Sequence, residues 1–210
     1  MEQYKILVID DMTEIVEYFE DIKEILAYEN IKVEFEYMHN VNDFSVEKPY
    51  DILMFDCNFN AARYDADIRN KVGFNLIKQY RQNNTRTKII FYSSSFNIDE
   101  PHQIPFNHKH YFEIINELNV YRLVYKNDSR ATVKAIKEAI NDLDIIMISL
   151  EKMASDYDEL NMKFELNDGD ITLNDLIYEM RMDGENAEKF RRDVVDLITN
   201  YMSKFDLNTN

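Results

Sequence analysis

The chain holds one cysteine, three glycines, three prolines and no tryptophan. A lone Cys57 excludes an intramolecular disulfide and fits a reducing compartment. Three glycines cannot build a Gly-rich phosphate loop, and most turns must be made from other residues. Bases are scarce as well: 24 against 40 acids, a net charge of −16. Such a field repels nucleic-acid phosphates and anionic membranes. No apolar run approaches the length of a membrane span. The opening MEQYKILVID has no basic segment leading into a long apolar stretch. We therefore expect a cytoplasmic protein without membrane attachment.

What is present is material for a core. Of 210 residues, 45% are hydrophobic and 13% aromatic, which suits one large domain or a standard one with an appendage. Short apolar runs alternate with helical patterns. Strands are expected at 4–9, 33–37, 51–55, 88–92 and 121–125. Helices are expected at 13–29, where Ile15, Phe19, Ile22 and Leu26 recur at helical spacing, and at 73–81 and 111–118. Strand–helix alternation of this kind predicts a parallel sheet with helices on both faces.

Ligands of such sheets bind beyond the carboxyl ends of the strands. The stretch DILMFDCNFN, 51–60, is a strand that stops on an acid, Asp56. Asp10 and Asp11 follow the first strand, Ser93 and Ser94 the fourth, and Lys126 the fifth. Carboxylates clustered without a counter-charge disfavour one another, so such groups usually hold a cation, and hard oxygen donors in an open site favour Mg²⁺. Asp56 then stands as a nucleophile toward phosphorus, with Ser93 and Lys126 as partners for phosphoryl oxygens. Each residue also has a plainer reading. Asp10-Asp11 ahead of a helix reads as an N-terminal cap worth about 1 kcal/mol, Asp56 as a turn residue, and Lys126 as a solvated surface base. His102, His108 and His110 read as loop histidines rather than a metal site, and Cys57 as a small buried residue.

ILVIDDM (6–12), DILMFDCN (51–58), IIFYSS (89–94) and LVYK (123–126), in this order, resemble the receiver domain of two-component response regulators over residues 3–143. The resemblance implies a flavodoxin-like, five-stranded, doubly wound parallel sheet of order 2-1-3-4-5. It implies Asp56 as phosphoacceptor, Asp10, Asp11, Asp56 and the Asn58 backbone carbonyl at Mg²⁺, Ser93 as the switch hydroxyl and Lys126 as the phosphate-pairing lysine. It implies a histidine kinase or histidine phosphotransfer protein as donor, and no enzymatic activity beyond the domain's own phosphoryl transfer and dephosphorylation. The chain departs from the family pattern in four places. Asn127 stands where proline is usual, and Leu123 where an aromatic switch residue is usual. The stretches 57–72 and 94–110 are enlarged.

Beyond residue 130 everything reads as helix, so residues 144–210 are expected as an all-α output region after a receiver at 1–143. Val133, Ile136, Ile140, Leu143, Met147, Leu150, Ala154 and Tyr157 alternate at spacings of three and four, and the pattern is interrupted at Asn161 before Phe164. They predict that the last receiver helix runs on to about 165, a possible seam for a homodimer over 131–165. Thr172 is expected to cap a helix through Met180, and a last helix carries Phe190 to Phe205. Residues 144–210 hold 16 acids and 7 bases, a net of −9, and no histidine. That argues against DNA binding and excludes a histidine phosphotransfer bundle, leaving protein–protein association as the output. The rivals are a degenerate receiver acting as a phosphorylation-independent adaptor, a DNA-binding regulator, and an aspartyl phosphotransferase. The last would want an acid where Asn58 stands.

Overall fold

The computed structural model describes residues 3–40, 44, 50–57, 72–94, 96, 108–156, 163–166 and 169–206. The chain divides into two compact units, Met1–Leu143 and Asp144–Asn210. Among the described residues, no helix is long and apolar enough to cross a membrane.

In the first unit, β1 (Gln3–Ile9), β2 (Lys32–Met38), β3 (Ile52–Asp56), β4 (Lys88–Ser93) and β5 (Arg122–Tyr125) form one parallel sheet in the order β2-β1-β3-β4-β5. The helices are α1 (Ile15–Tyr28), α2 (Val72–Arg81), α3 (His108–Phe112, continued by a π-helical turn over Glu113–Glu117) and α4 (Ser129–Asn141). This is the flavodoxin-like order expected above.

Strand parity sorts the core into two layers. Ile6, Val8, Ile52, Met54, Ile90 and Val124 face one side, where Phe19 and Ile22 of α1 and Ile136 of α4 cover them. Leu7, Ile9, Leu53, Phe55, Ile89 and Phe91 face the other, beneath Phe74, Ile77 and Tyr80 of α2. Every residue of β3 is buried, as a central strand of a doubly covered sheet requires.

Arg81, at the end of α2, is buried, and among the described residues its hydrogen-bond partners are carbonyls rather than carboxylates. Its guanidinium donates to the carbonyls of Leu118 (2.7 Å), Asn84 (2.9 Å), Thr87 (2.9 Å) and Asn119 (2.9 Å). Burial lowers its pKa to about 10. The residue ties two loops at the edge opposite the proposed site, a structural duty that its charge alone does not announce.

The second unit corrects the sequence reading twice. The expected continuous helix over 131–165 is interrupted. Helix α4 ends at Asn141, and α5 (Ile145–Asp156) begins afresh. Asp142 caps the first end, its N–H reaching the carbonyls of Glu138 and Ala139. Asp144 opens the next helix, its Oδ1 accepting the Met147 N–H at 3.2 Å. A short acid that bonds nearby backbone, as Asp144 does, favours a helix start over helix continuation, so the apolar period runs through a break. The apolar face of α4 is spent on the sheet, with Val133, Ile136 and Ile140 buried, and is no seam for a second copy.

The second correction is β6 (Lys163–Leu166) paired antiparallel with β7 (Gly169–Thr172) where only helix was expected. Phe164 and Ile171 sit opposite one another, and Phe164 meets Phe190 edge-on at 5.4 Å. Gly169 takes φ 120°, open to glycine and strained for other residues. The expected helices are present beside this hairpin. Thr172 does cap α6 (Leu173–Met182), its hydroxyl accepting the Asp175 N–H. The final helix, α7 (Glu185–Asp206), follows the left-handed Asp183. Leu150, Leu176, Ile177 and Met180 form a small separate core.

Candidate functional site

The carboxyl edge of the sheet collects the residues singled out above. Parity extends the α1/α4 face past each strand end: Asp10 follows Ile6 and Val8, Asp56 follows Ile52 and Met54, Tyr92 follows Ile90, and Lys126 follows Val124. Carboxylate oxygens of Asp10, Asp11 and Asp56 lie within 4.8 Å of one another. Asp10 and Asp56 are buried and Asp11 is exposed. Among the described residues this is the one group of three side chains with ligand atoms close enough to share a cation. Hard oxygen donors so placed are compatible with a divalent metal.

Asp10 is held by three donors. The Met12 N–H reaches Oδ1 at 2.9 Å, the Tyr92 hydroxyl reaches Oδ2 at 2.8 Å, and Lys126 Nζ reaches Oδ2 at 2.6 Å. Its carbonyl meets His39 Nδ1 at 2.7 Å. The ion pair is well shielded, with the Lys126 side chain 12% exposed and that of Asp10 fully buried. Asp10 does not cap α1: the residue at the N-cap position is Glu14, without a side-chain capping bond. The plainer reading of Asp10-Asp11 as a helix cap therefore fails. Asp56 makes polar contact of its own, and its Oδ1 is buried without a hydrogen bond from the described residues.

Tyr92 and Gly73 belong to the site and escaped the sequence reading. Burial, then the carboxylates of Asp10 and Asp56, holds the Tyr92 phenol well above its ordinary pKa, so it stays a donor. A phenol in a strand buried on both faces must find a partner, and that requirement was the available signal. At Gly73, in the first turn of α2, a Cβ would stand 2.2 Å from the Asp56 carbonyl oxygen. Only glycine lets the helix come so near the end of β3.

Ser93 is fully buried, and its carbonyl accepts the N–H of Lys126 (3.0 Å) and of Phe96 (3.3 Å). It has the opposite parity to Asp56, following Ile89 and Phe91. Ser94 is exposed. Leu123 is half-buried, and Asn127 reaches the Tyr125 hydroxyl at 3.2 Å. Cys57 is buried, as expected. His108 and His110 lie in α3 rather than a loop. Asn58, His102 and most of the two enlarged stretches lie outside the described residues.

No family model matches the sequence, and no curated protein does. Solved structures are similar to part of the chain. A CheY-like response regulator receiver domain protein from Methanospirillum hungatei JF-1 is 15% identical, with 67% of this chain and 96% of that one covered and a TM-score of 0.45. A signal receiver domain of a histidine kinase from Clostridium thermocellum is 14% identical, with 65% and 96% covered and a TM-score of 0.45. A response regulator protein from Burkholderia pseudomallei, with a phosphorylated aspartic acid, calcium ion and citrate, is 13% identical, with 75% and 87% covered and a TM-score of 0.36. The first two of these neighbours are receiver domains.

Proposed function

We propose that residues 1–143 are a phosphoacceptor domain in which Asp56 takes a phosphoryl group from a phosphohistidine donor, a histidine kinase or phosphotransfer protein. The observation that carries this reading is the convergence of Asp10, Asp11 and Asp56 within 4.8 Å, with Lys126 paired to Asp10 at the same edge. Asp10, Asp11 and Asp56 are the residues that would hold Mg²⁺. When bound, the ion would offset charge on the transferring phosphoryl oxygens. An Asp56 carboxylate oxygen attacks phosphorus in line, the P–O bond forming as the P–N bond to the donor imidazole breaks. The leaving imidazole keeps the electron pair and is protonated from solvent. Lys126, on its flexible stem at the rim, exchanges its bond to Asp10 for one to a phosphoryl oxygen. Output then passes through association with another protein, and the domain has no turnover beyond its own phosphorylation and dephosphorylation.

A second reading keeps the cluster as a phosphorylation-independent docking site. The three donors already on Asp10 favour it, since Lys126 offsets its charge while the Tyr92 hydroxyl and the Met12 N–H satisfy its oxygens without a metal. Intact-mass measurement after incubation with Mg²⁺ and acetyl phosphate decides between them. The first reading expects a gain of one phosphoryl group in the wild type and none in Asp56→Asn. An unchanged wild-type mass supports the second.

A further inference from the structure

The C-terminal half of α7 carries an exposed apolar face. Near its start, Ala187 and Phe190 pack with Leu176, Ile177 and Met180. Farther along, Val195, Leu197, Ile198, Tyr201 and Met202 are 54–71% exposed, and Val194 is half-buried. From Val194 to Ser203 one residue in ten is charged, Asp196, in a chain where 30% are.

The pattern is that of an interface. With Ile198 at heptad position a, Val194 and Tyr201 fall at d, Val195 and Met202 at e, and Leu197 at g. Arg192, Asp193, Asp196, Thr199, Asn200 and Ser203 fill b, c and f, all polar. A two-stranded coil needs only a and d. A face that also includes e and g is buried against more than one helix.

We propose that this face joins two copies of the chain in a compact helical dimer. Charge selects a second copy over a partner of another kind. Residues 144–184 hold 11 acids and 3 bases, a net of −8, whereas α7 holds five acids and four bases, a net of −1. Two molecules of net charge −16 repel one another least where charge is sparse, and a patch with Asp196 as its one charged residue offers nothing to steer a partner of opposite charge. Area agrees. The exposed side chains of the patch present on the order of 500 Å², so a two-fold interface that uses it twice removes roughly 1,000 Å², the threshold for a specific association.

Sedimentation velocity of the full chain at micromolar concentration tests the proposal. A dimer at twice the 25.2 kDa chain mass is expected. The double substitution Leu197→Glu/Ile198→Glu should raise the dimer dissociation constant about 100-fold or more, with helical circular dichroism unchanged. Should that pair unfold α7, the single substitution Met202→Lys carries the same expectation. Phe112→Glu, at a residue 67% exposed in the first unit, should leave the dimer intact. A wild type that stays monomeric, a dimer that survives the α7 substitutions, or one lost equally in Phe112→Glu would overturn the assignment.

Discussion

The two units place polarity in opposite locations. Among the described residues, every buried polar or charged side chain lies before residue 143, including Asp10, Asp56, Arg81, Ser93 and Thr132. Of the twelve large apolar side chains that are exposed among the described residues, seven lie beyond it, in a unit less than half as long. Buried charge is costly unless paired, and exposed apolar surface is costly unless covered. The first unit buries carboxylates at one edge of its sheet and, at the other, Arg81 against four carbonyls. The second carries most of its cost along one helix, α7, which holds five of the seven.

Substitutions sharpen this contrast, most strongly in the first unit. Gly73→Ala should cost about 3 kcal/mol, because the new methyl meets the Asp56 backbone carbonyl rather than a yielding side chain. Calorimetry should show the loss in the transition of the first unit while that of the second stays put. An equal shift in both would dissolve the distinction. Lys126→Ala should cost about 2 kcal/mol, less than breaking a fully isolated buried pair, because Tyr92 and Met12 still donate to Asp10. Urea denaturation checks that value, and a change within error would mean that the pair is energetically idle.

Asp56→Asn should do the reverse and stabilise by about 1 kcal/mol, since removing one of three clustered carboxylates relieves repulsion at a site shaped for function. The same variant should lose any rise in melting temperature that Mg²⁺ gives the wild type. A destabilised variant would indicate that Asp56 serves the fold. The smallest effect belongs to the second unit. Leu197→Ser, at an exposed position, should change folding stability of the dilute monomeric chain by less than about 0.5 kcal/mol, read from thermal unfolding.

Much of the first unit was legible because periodicity there is unambiguous. The apolar runs ending at Ile9, Phe55 and Tyr92 lie in buried strands, and Ile15, Phe19, Ile22 and Leu26 became the buried stripe of α1. The acids at the strand ends were legible for the same reason, since topology dictates which edge they share. Tyr92 was missed because an apolar run hides a phenol whose only polar atom matters. In the second unit, period alone misled. A heptad-like spacing continues through Asp142 and Asp144, although those acids end one helix and begin the next. Helix was expected where β6 and β7 pair, yet turn residues between two short alternating runs are a hairpin signal.

The most direct test of the central claim maps the phosphoryl group rather than merely detecting it. After incubation with Mg²⁺ and acetyl phosphate, borohydride reduction converts an aspartyl phosphate to homoserine, which peptide mass spectrometry locates. Conversion at Asp56, dependent on Mg²⁺ and reduced by Lys126→Ala, is the predicted result. No incorporation, or a phosphoryl group found on Ser93 or a histidine instead, would contradict it.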